Sequence, residues 1–142
     1  MPSSQSPVRP FHVVITDTRS LWREALRVVI ERLDPDITVE EVPVPDELAQ
    51  RVAENGDIGV VVISLDMRSE KDMRQLERVH RQTPDIPIAV IADLLDVDSV
   101  LAVMQRGAKA FIPTTVDSRI MIEALRLLAA GGIYVPDLWS RS

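Results

Sequence analysis

The chain has no cysteine, which excludes disulfides, thiolate metal sites and a cysteine nucleophile. Its only histidines, His12 and His80, stand far apart in sequence, so a His-rich metal site is not expected. Basic residues are the minority, 16 Lys and Arg against 22 Asp and Glu, for a formal charge of −6. That balance argues against this segment gripping nucleic acid directly. No apolar run approaches the roughly 18 residues of a membrane span, and residues 1–10 lack the apolar core of a signal peptide. A cytoplasmic chain with no membrane contact is therefore expected. Glycine is scarce, with five in 142 residues, and none follows the first apolar strand, so no phosphate-cradling or dinucleotide loop is expected there.

What is present is organised around Ile58-Gly59-Val60-Val61-Val62-Ile63-Ser64-Leu65-Asp66. A short apolar, β-branched run with no polar alternation predicts a strand buried on both faces, as in the centre of a parallel sheet. Around it, apolar strands are expected at 11–16, 37–42, 87–92 and 110–113. The strand at 37–42 is half-polar and is placed at an edge. Between them, helical spacing joins Trp22, Leu26, Val29 and Leu33, with Ser20 as N-cap. Asp46 is expected to cap a short helix over 47–54, closed by Asn55-Gly56. Ser69, three residues before Asp72, opens a third helix carrying Met73, Leu76 and Val79 inward. Asp96 or Asp98 opens a fourth, with Val97, Val100 and Met104 on one face and Gly107 just past its end. Asp117 caps a fifth that runs to Gly131-Gly132.

Strands alternating with helices imply right-handed crossovers and a parallel sheet. The expected architecture is a flavodoxin-like, CheY-like doubly wound α/β fold, five strands in order 2-1-3-4-5 with helices on both faces. Residues 1–10 are expected to be a disordered lead-in. Residues 11–136 form the domain, and 137–142 a tail or the start of an interdomain linker.

Function in such a sheet sits at the carboxyl ends of the strands. Four loops should bring Asp17, Thr18, Ser64, Asp66, Ala92, Asp93, Thr114 and Thr115 together there. Ser64 lacks the flanking glycines of a nucleophile elbow and has no strand-end histidine as base. No catalytic residue is therefore expected, and the chain is not expected to be an enzyme.

Several segments together carry a family resemblance. Leu21-Trp22-Arg23-Glu24-Ala25-Leu26, Thr83-Pro84-Asp85-Ile86-Pro87 and Gly107-Ala108-Lys109-Ala110-Phe111-Ile112 occur in order, followed by Glu123-Ala124-Leu125-Arg126 and Ala129-Ala130-Gly131-Gly132-Ile133-Tyr134. Over about residues 11–136 the chain resembles a response-regulator receiver domain of the LuxR/NarL branch. The resemblance implies phosphoryl transfer from a histidine kinase to an Asp ending the third strand. Acidic side chains would hold Mg²⁺, and a Lys and a Ser or Thr would hold the phosphoryl oxygens. Carried over, the acceptor position falls on Ser64 and the acidic pair on Asp17 and Thr18. The hydroxyl position falls on Ala92 and the lysine position on Thr114. Sliding the third strand by two residues would make Asp66 the acceptor, at the cost of a deletion in the following helix. Phe111 falls on the family's signalling-aromatic position and is expected to be packed and static.

The resemblance thus points to a degenerate receiver, independent of phosphorylation, with no metal and no cofactor, acting as an interaction and dimerisation module in transcription regulation. The alternative is an atypical phosphoacceptor using Asp66. A helix-turn-helix DNA-binding domain is expected outside this chain. In the fifth helix, Met121, Leu125 and Leu128 can face the sheet, while Ile120, Ala124 and Leu127 form a second apolar row expected to make a homodimer. Trp22 is read as core or interface edge, Asp17 as a plain loop carboxylate, Asp93, Asp96 and Asp98 as helix-capping charge, and 74–81 as a solvated helix face.

Overall fold

The computed structural model describes residues 11–54, 57–93 and 96–137; the lead-in at 1–10, the Asn55-Gly56 turn and residues 138–142 of the tail lie outside them. Among the described residues the strands are β1 (Phe11–Thr16), β2 (Ile37–Val42), β3 (Ile58–Ser64), β4 (Ile88–Ala92) and β5 (Ala110–Pro113). The helices are α1 (Ser20–Leu33), α2 (Leu48–Glu54), α3 (Glu70–Gln82), α4 (Val97–Gln105) and α5 (Ser118–Ala129). All pairings are parallel and the order is β2-β1-β3-β4-β5, the doubly wound arrangement expected.

Period-two alternation divides the sheet's side chains between two cores. Val13, Ile15, Val60, Val62, Ala89, Ile91, Ala110 and Ile112 pack with Leu26 and Ile30 of α1 and with Met121, Leu125 and Leu128 of α5. Val14, Val61, Ile63, Val90 and Phe111 pack with Leu48 of α2, Leu76 and Val79 of α3, and Val100 and Val103 of α4. β3 contributes to both cores and lies between β1 and β4, which explains its unbroken apolar run.

The helix ends show where local chemistry and tertiary packing diverge. Ser69 Oγ accepts from the Asp72 N–H at 3.1 Å, Asp96 caps α4 through the Ser99 N–H, and Asp117 caps α5 through the Arg119 N–H. Gly107 takes φ +105° just past α4, a conformation that favours glycine. Ser20, however, is inside α1, whose N-cap is Arg19. Asp46 is not a cap: it lies in a 3-10 turn, Pro45–Glu47, before α2, and its carboxylate accepts from Arg78 Nη1 at 2.7 Å. β4 starts at Ile88 because Pro87 has no N–H; its carbonyl still accepts from Val61.

Three apolar faces also shift. In α1 the buried row is Leu26 and Ile30, with Trp22 packed against the same core, while Val29 and Leu33 are at the surface. In α4 the inward residues are Val100 and Val103, and Val97 is exposed. In α5 the expected second row is broken: Ile120 and Leu127 are 39% and 42% exposed, but Ala124 is 1% exposed. Ala124 shares its core with Leu26 and Ile30, since α1 lies beside α5 on this face of the sheet. Arg126 is likewise drawn inward, paired with buried Asp34 and 5.9 Å from the Phe11 ring.

Leu125→Ala should cost about 3 kcal/mol, because it empties a fully buried site. Ile120→Ala should cost less than about 1 kcal/mol. Urea unfolding followed by far-ultraviolet circular dichroism distinguishes these values; equal losses would show the α5 faces to be wrongly assigned.

Candidate functional site

Parallel pairing aligns the carboxyl ends of the central strands: Thr16 is level with Ile63, Ser64 with Ile91, and Ala92 with Pro113. The loops leaving these ends enclose an open cavity of about 640 Å³, lined by seven of the eight residues expected there, Asp17, Thr18, Ser64, Asp66, Ala92, Asp93 and Thr114, but not by Thr115. Thr114 is tied to the sheet by its N–H, which donates to the Ala92 carbonyl at 3.0 Å. Phe111 is not in the cavity; it is fully buried in the α2–α4 core. Neither histidine lines it: His12 begins β1 and bonds Glu40, while His80 lines a cavity at the other end of the strands.

Three residues missed at the sequence level dominate the geometry: Arg19, Trp22 and Arg68. Asp17 is buried, and both of its oxygens are engaged. Oδ1 accepts from the Arg19 N–H at 2.8 Å and from Arg19 Nε at 3.2 Å, while Oδ2 accepts from Arg19 Nη2 at 3.0 Å. It is therefore an ion-paired anchor rather than a plain loop carboxylate. The Asp17 hydrogen bond holds the Arg19 guanidinium above its ordinary pKa, with the fields of Asp72 and Asp93 adding to it against partial desolvation. Arg19 also lies 5.5 Å from the centroid of the Trp22 ring, a cation–π distance.

Trp22 is a wall of the site. Its Nε1–H donates to Ser64 Oγ at 2.7 Å, joining α1 to the end of β3. Its far side borders an apolar groove of about 180 Å³ between α1 and the start of α5, lined by Ala25, Val29, Val116 and Met121. Beneath the cavity, the Thr16 hydroxyl is fully buried and has no hydrogen-bond partner.

Across the cavity, Asp66 repeats the Asp17 arrangement. Its Oδ1 accepts from the Arg68 N–H at 3.0 Å and from Arg68 Nε at 3.3 Å. These two bonds hold the Asp66 carboxyl below its ordinary range. Its own N–H donates to Asp72 Oδ2 at 2.8 Å. Ser64 ends the strand, whereas Asp66 stands two residues beyond it and is exposed. The sequence signal for both clamps is the repeated Asp-x-Arg at 17–19 and 66–68. Asp96 caps a helix as expected, but Asp93 belongs to the cavity wall.

The description "Response regulator receiver domain" belongs to a family profile that matches residues 13–126. The chain is 25% identical over 126 residues to the glycerol metabolism activator of Pseudomonas putida, covering 89% of this chain and 57% of that protein. It is 29% identical over 124 residues to the nitrate/nitrite response regulator protein NarP of Escherichia coli strain K12, covering 86% and 56%. The chain thus spans about half the length of the curated relatives it matches. The crystal structure of a LuxR family DNA-binding response regulator from Silicibacter pomeroyi superposes with a TM-score of 0.75 at 25% identity, over 91% of this chain and 99% of that one. A response regulator from Thermotoga maritima, 17% identical, shares the fold with a TM-score of 0.70 over 84% of this chain and 98% of its own. With its strand order, its carboxyl-edge cavity and a match over residues 13–126, this chain belongs to the response regulator receiver domain family, in its LuxR/NarL branch.

Proposed function

We propose that this receiver domain works without phosphorylation, as an interaction and dimerisation module of a transcriptional response regulator. The observation that carries the reading is the Arg19 guanidinium on both oxygens of Asp17. Phosphoryl transfer to a carboxylate needs a divalent cation beside the acceptor, to neutralise the charge gathered on the phosphoryl oxygens. Here the Asp17 carboxylate is already paired with a cation of the chain itself, whose charged form the Asp17 hydrogen bond and the nearby Asp72 and Asp93 carboxylates favour. We read the lining as a poor Mg²⁺ site: Asp17 is on Arg19, Asp66 on Arg68 and Asp72 on the Asp66 N–H, Thr18 and Ser64 bring no charge, and no three ligating side chains cluster among the described residues. Ser64 offers a hydroxyl bonded to an indole rather than a carboxylate nucleophile. Asp66 lies two residues past the strand end, exposed, with one of its oxygens, Oδ1, held by the Arg68 backbone and side chain.

A domain with no phosphoryl switch acts through its surfaces. α1 and α5 lie side by side and expose Val28, Val29 and Leu33 from one helix and Ile120 and Leu127 from the other. We place a constitutive homodimer there, with the same patch used by both copies. The net charge of −6 disfavours direct DNA contact by this domain, and we assign that contact to a helix-turn-helix domain outside this chain. Relatives named "Transcriptional regulatory protein DegU" from Brevibacillus brevis and a LuxR family DNA-binding response regulator support that assignment. No described helix is long and apolar enough to cross a membrane, in keeping with the cytoplasmic placement we infer.

Incubation with a small phosphodonor and millimolar Mg²⁺ should leave the intact mass unchanged. A gain of one phosphoryl group that Asp66→Asn abolishes would establish the atypical acceptor instead. Isothermal titration with Mg²⁺ to millimolar concentration should show no saturable heat. Sedimentation at tens of micromolar should show a dimer, and Ile120→Glu with Leu127→Glu should give a folded monomer, because each large apolar side chain withdrawn from water is worth roughly 1.5–3 kcal/mol. A monomeric unmutated chain would end the dimer reading.

A further inference from the structure

The chain does not leave the domain at the end of α5. Gly131 takes φ +93°, and the Gly132 N–H returns to the Leu127 carbonyl at 2.8 Å. A Cβ on Gly132 would meet the Leu127 side chain at 2.5 Å, so this reversal is shaped for glycine. The next residues pass β5 and meet it at one isolated bridge. Tyr134 pairs in parallel with Ala110, its N–H donating to the Lys109 carbonyl at 2.9 Å and its carbonyl accepting from the Phe111 N–H at 3.2 Å. The alternation is that of a strand: Ile133 and Val135 are exposed, Tyr134 is packed against the α1–α5 core, and Pro136 is buried.

The pairing stops after this one rung for a reason visible in the register. In a parallel ladder the next two donors would be the N–H of residue 136, toward the Phe111 carbonyl, and the N–H of residue 113, toward the carbonyl of residue 136. Both positions are proline, and neither has an N–H to give. At the base of the strand, Gly131, Gly132 and Ile133 border a cavity of about 380 Å³ with Pro84, Lys109 and His80, whose Nδ1 is buried without a partner. The segment therefore has one rung above it and unfilled space below.

We propose that residues 131–136 form a detachable sixth strand, held to β5 by a single rung and kept from zipping further by Pro113 and Pro136. The strand takes its position from the backbone of Lys109 and Phe111, on the same short β5 whose far end leads to Thr114 in the cavity wall. A movement of β5 at the cavity is thereby transmitted to the outgoing chain, and a pull on that chain is felt at β5. This inference does not depend on how the cavity is occupied or whether any residue is phosphorylated.

Amide hydrogen exchange on the 142-residue chain tests it. Alternation turns the Ile112 amide into the β4 ladder, so it reports opening of the sheet itself, whereas the Phe111 amide reports the sixth strand. Phe111 should be protected, yet exchange at least about tenfold faster than Ile112, as local detachment precedes global opening. Pro136→Val supplies the missing donor and should slow Phe111 by roughly threefold to tenfold, the worth of one hydrogen bond. Tyr134→Pro removes a donor already in use and should leave Phe111 unprotected with Ile112 unchanged. Exchange of Phe111 at the Ile112 rate, no protection of Phe111 at all, or no response to either substitution would overturn the proposal.

Discussion

Burial of β3 on both faces is the constraint from which the rest of the domain follows. A strand with Val60 and Val62 in one core and Val61 and Ile63 in the other cannot face water on either side. Helices must therefore cover both faces, and parallel crossovers place them there. The same geometry brings every strand's carboxyl end to one edge. At that edge side chains such as Ser64 and Asp17 meet without a helix between them, and a polar cavity is assembled there.

Within that site, Asp17 and Asp66, two of the four lining aspartates, are paired with arginines of the chain itself. Two Asp-x-Arg turns, one after β1 and one after β3, neutralise their own carboxylates with a guanidinium two residues on. Trp22 then bonds the residue at the end of the central strand from the α1 side. These clamps and the indole bond tie the loops of the site to one another. We read its role as structural support for the α1 and α5 surface and for the geometry of β5. The outgoing strand extends the same logic: its single rung places it at the margin of the sheet's stability, where small displacements have consequences.

Much of the fold was legible because it rests on periods and on local caps. The strands, the caps at Ser69, Asp96 and Asp117 and the glycine at 107 depend on neighbours within a few residues, and composition reports such neighbours directly. The faces of α1, α4 and α5 were less legible. Trp22, Leu26 and Ile30 and the alternative row through Val29 and Leu33 are both compatible with a helical period, and only the position of the sheet chooses between them. Ala124 illustrates the same point: its small side chain fits an outward row in sequence, but α1 lies against it in space.

The sequence by itself determined the layered α/β architecture and most of the positions that gather at the carboxyl edge, because unbroken apolar runs must be buried on both faces and parallel strands end on one edge; the strand order was expected from a common doubly wound pattern. It also showed that Ser64, Thr18, Ala92 and Thr114 carry no charge. Only the tertiary structure decided what these residues touch. That Arg19 folds back onto Asp17, that Trp22 reaches Ser64 across 42 positions of sequence, and that Pro113 and Pro136 fall on the two donor positions that would come next after the Ala110–Tyr134 bridge are products of distance in space. Hydrogen bonds and ion pairs act over a few ångströms, and no spacing along the chain encodes which distant groups the fold will bring within that range.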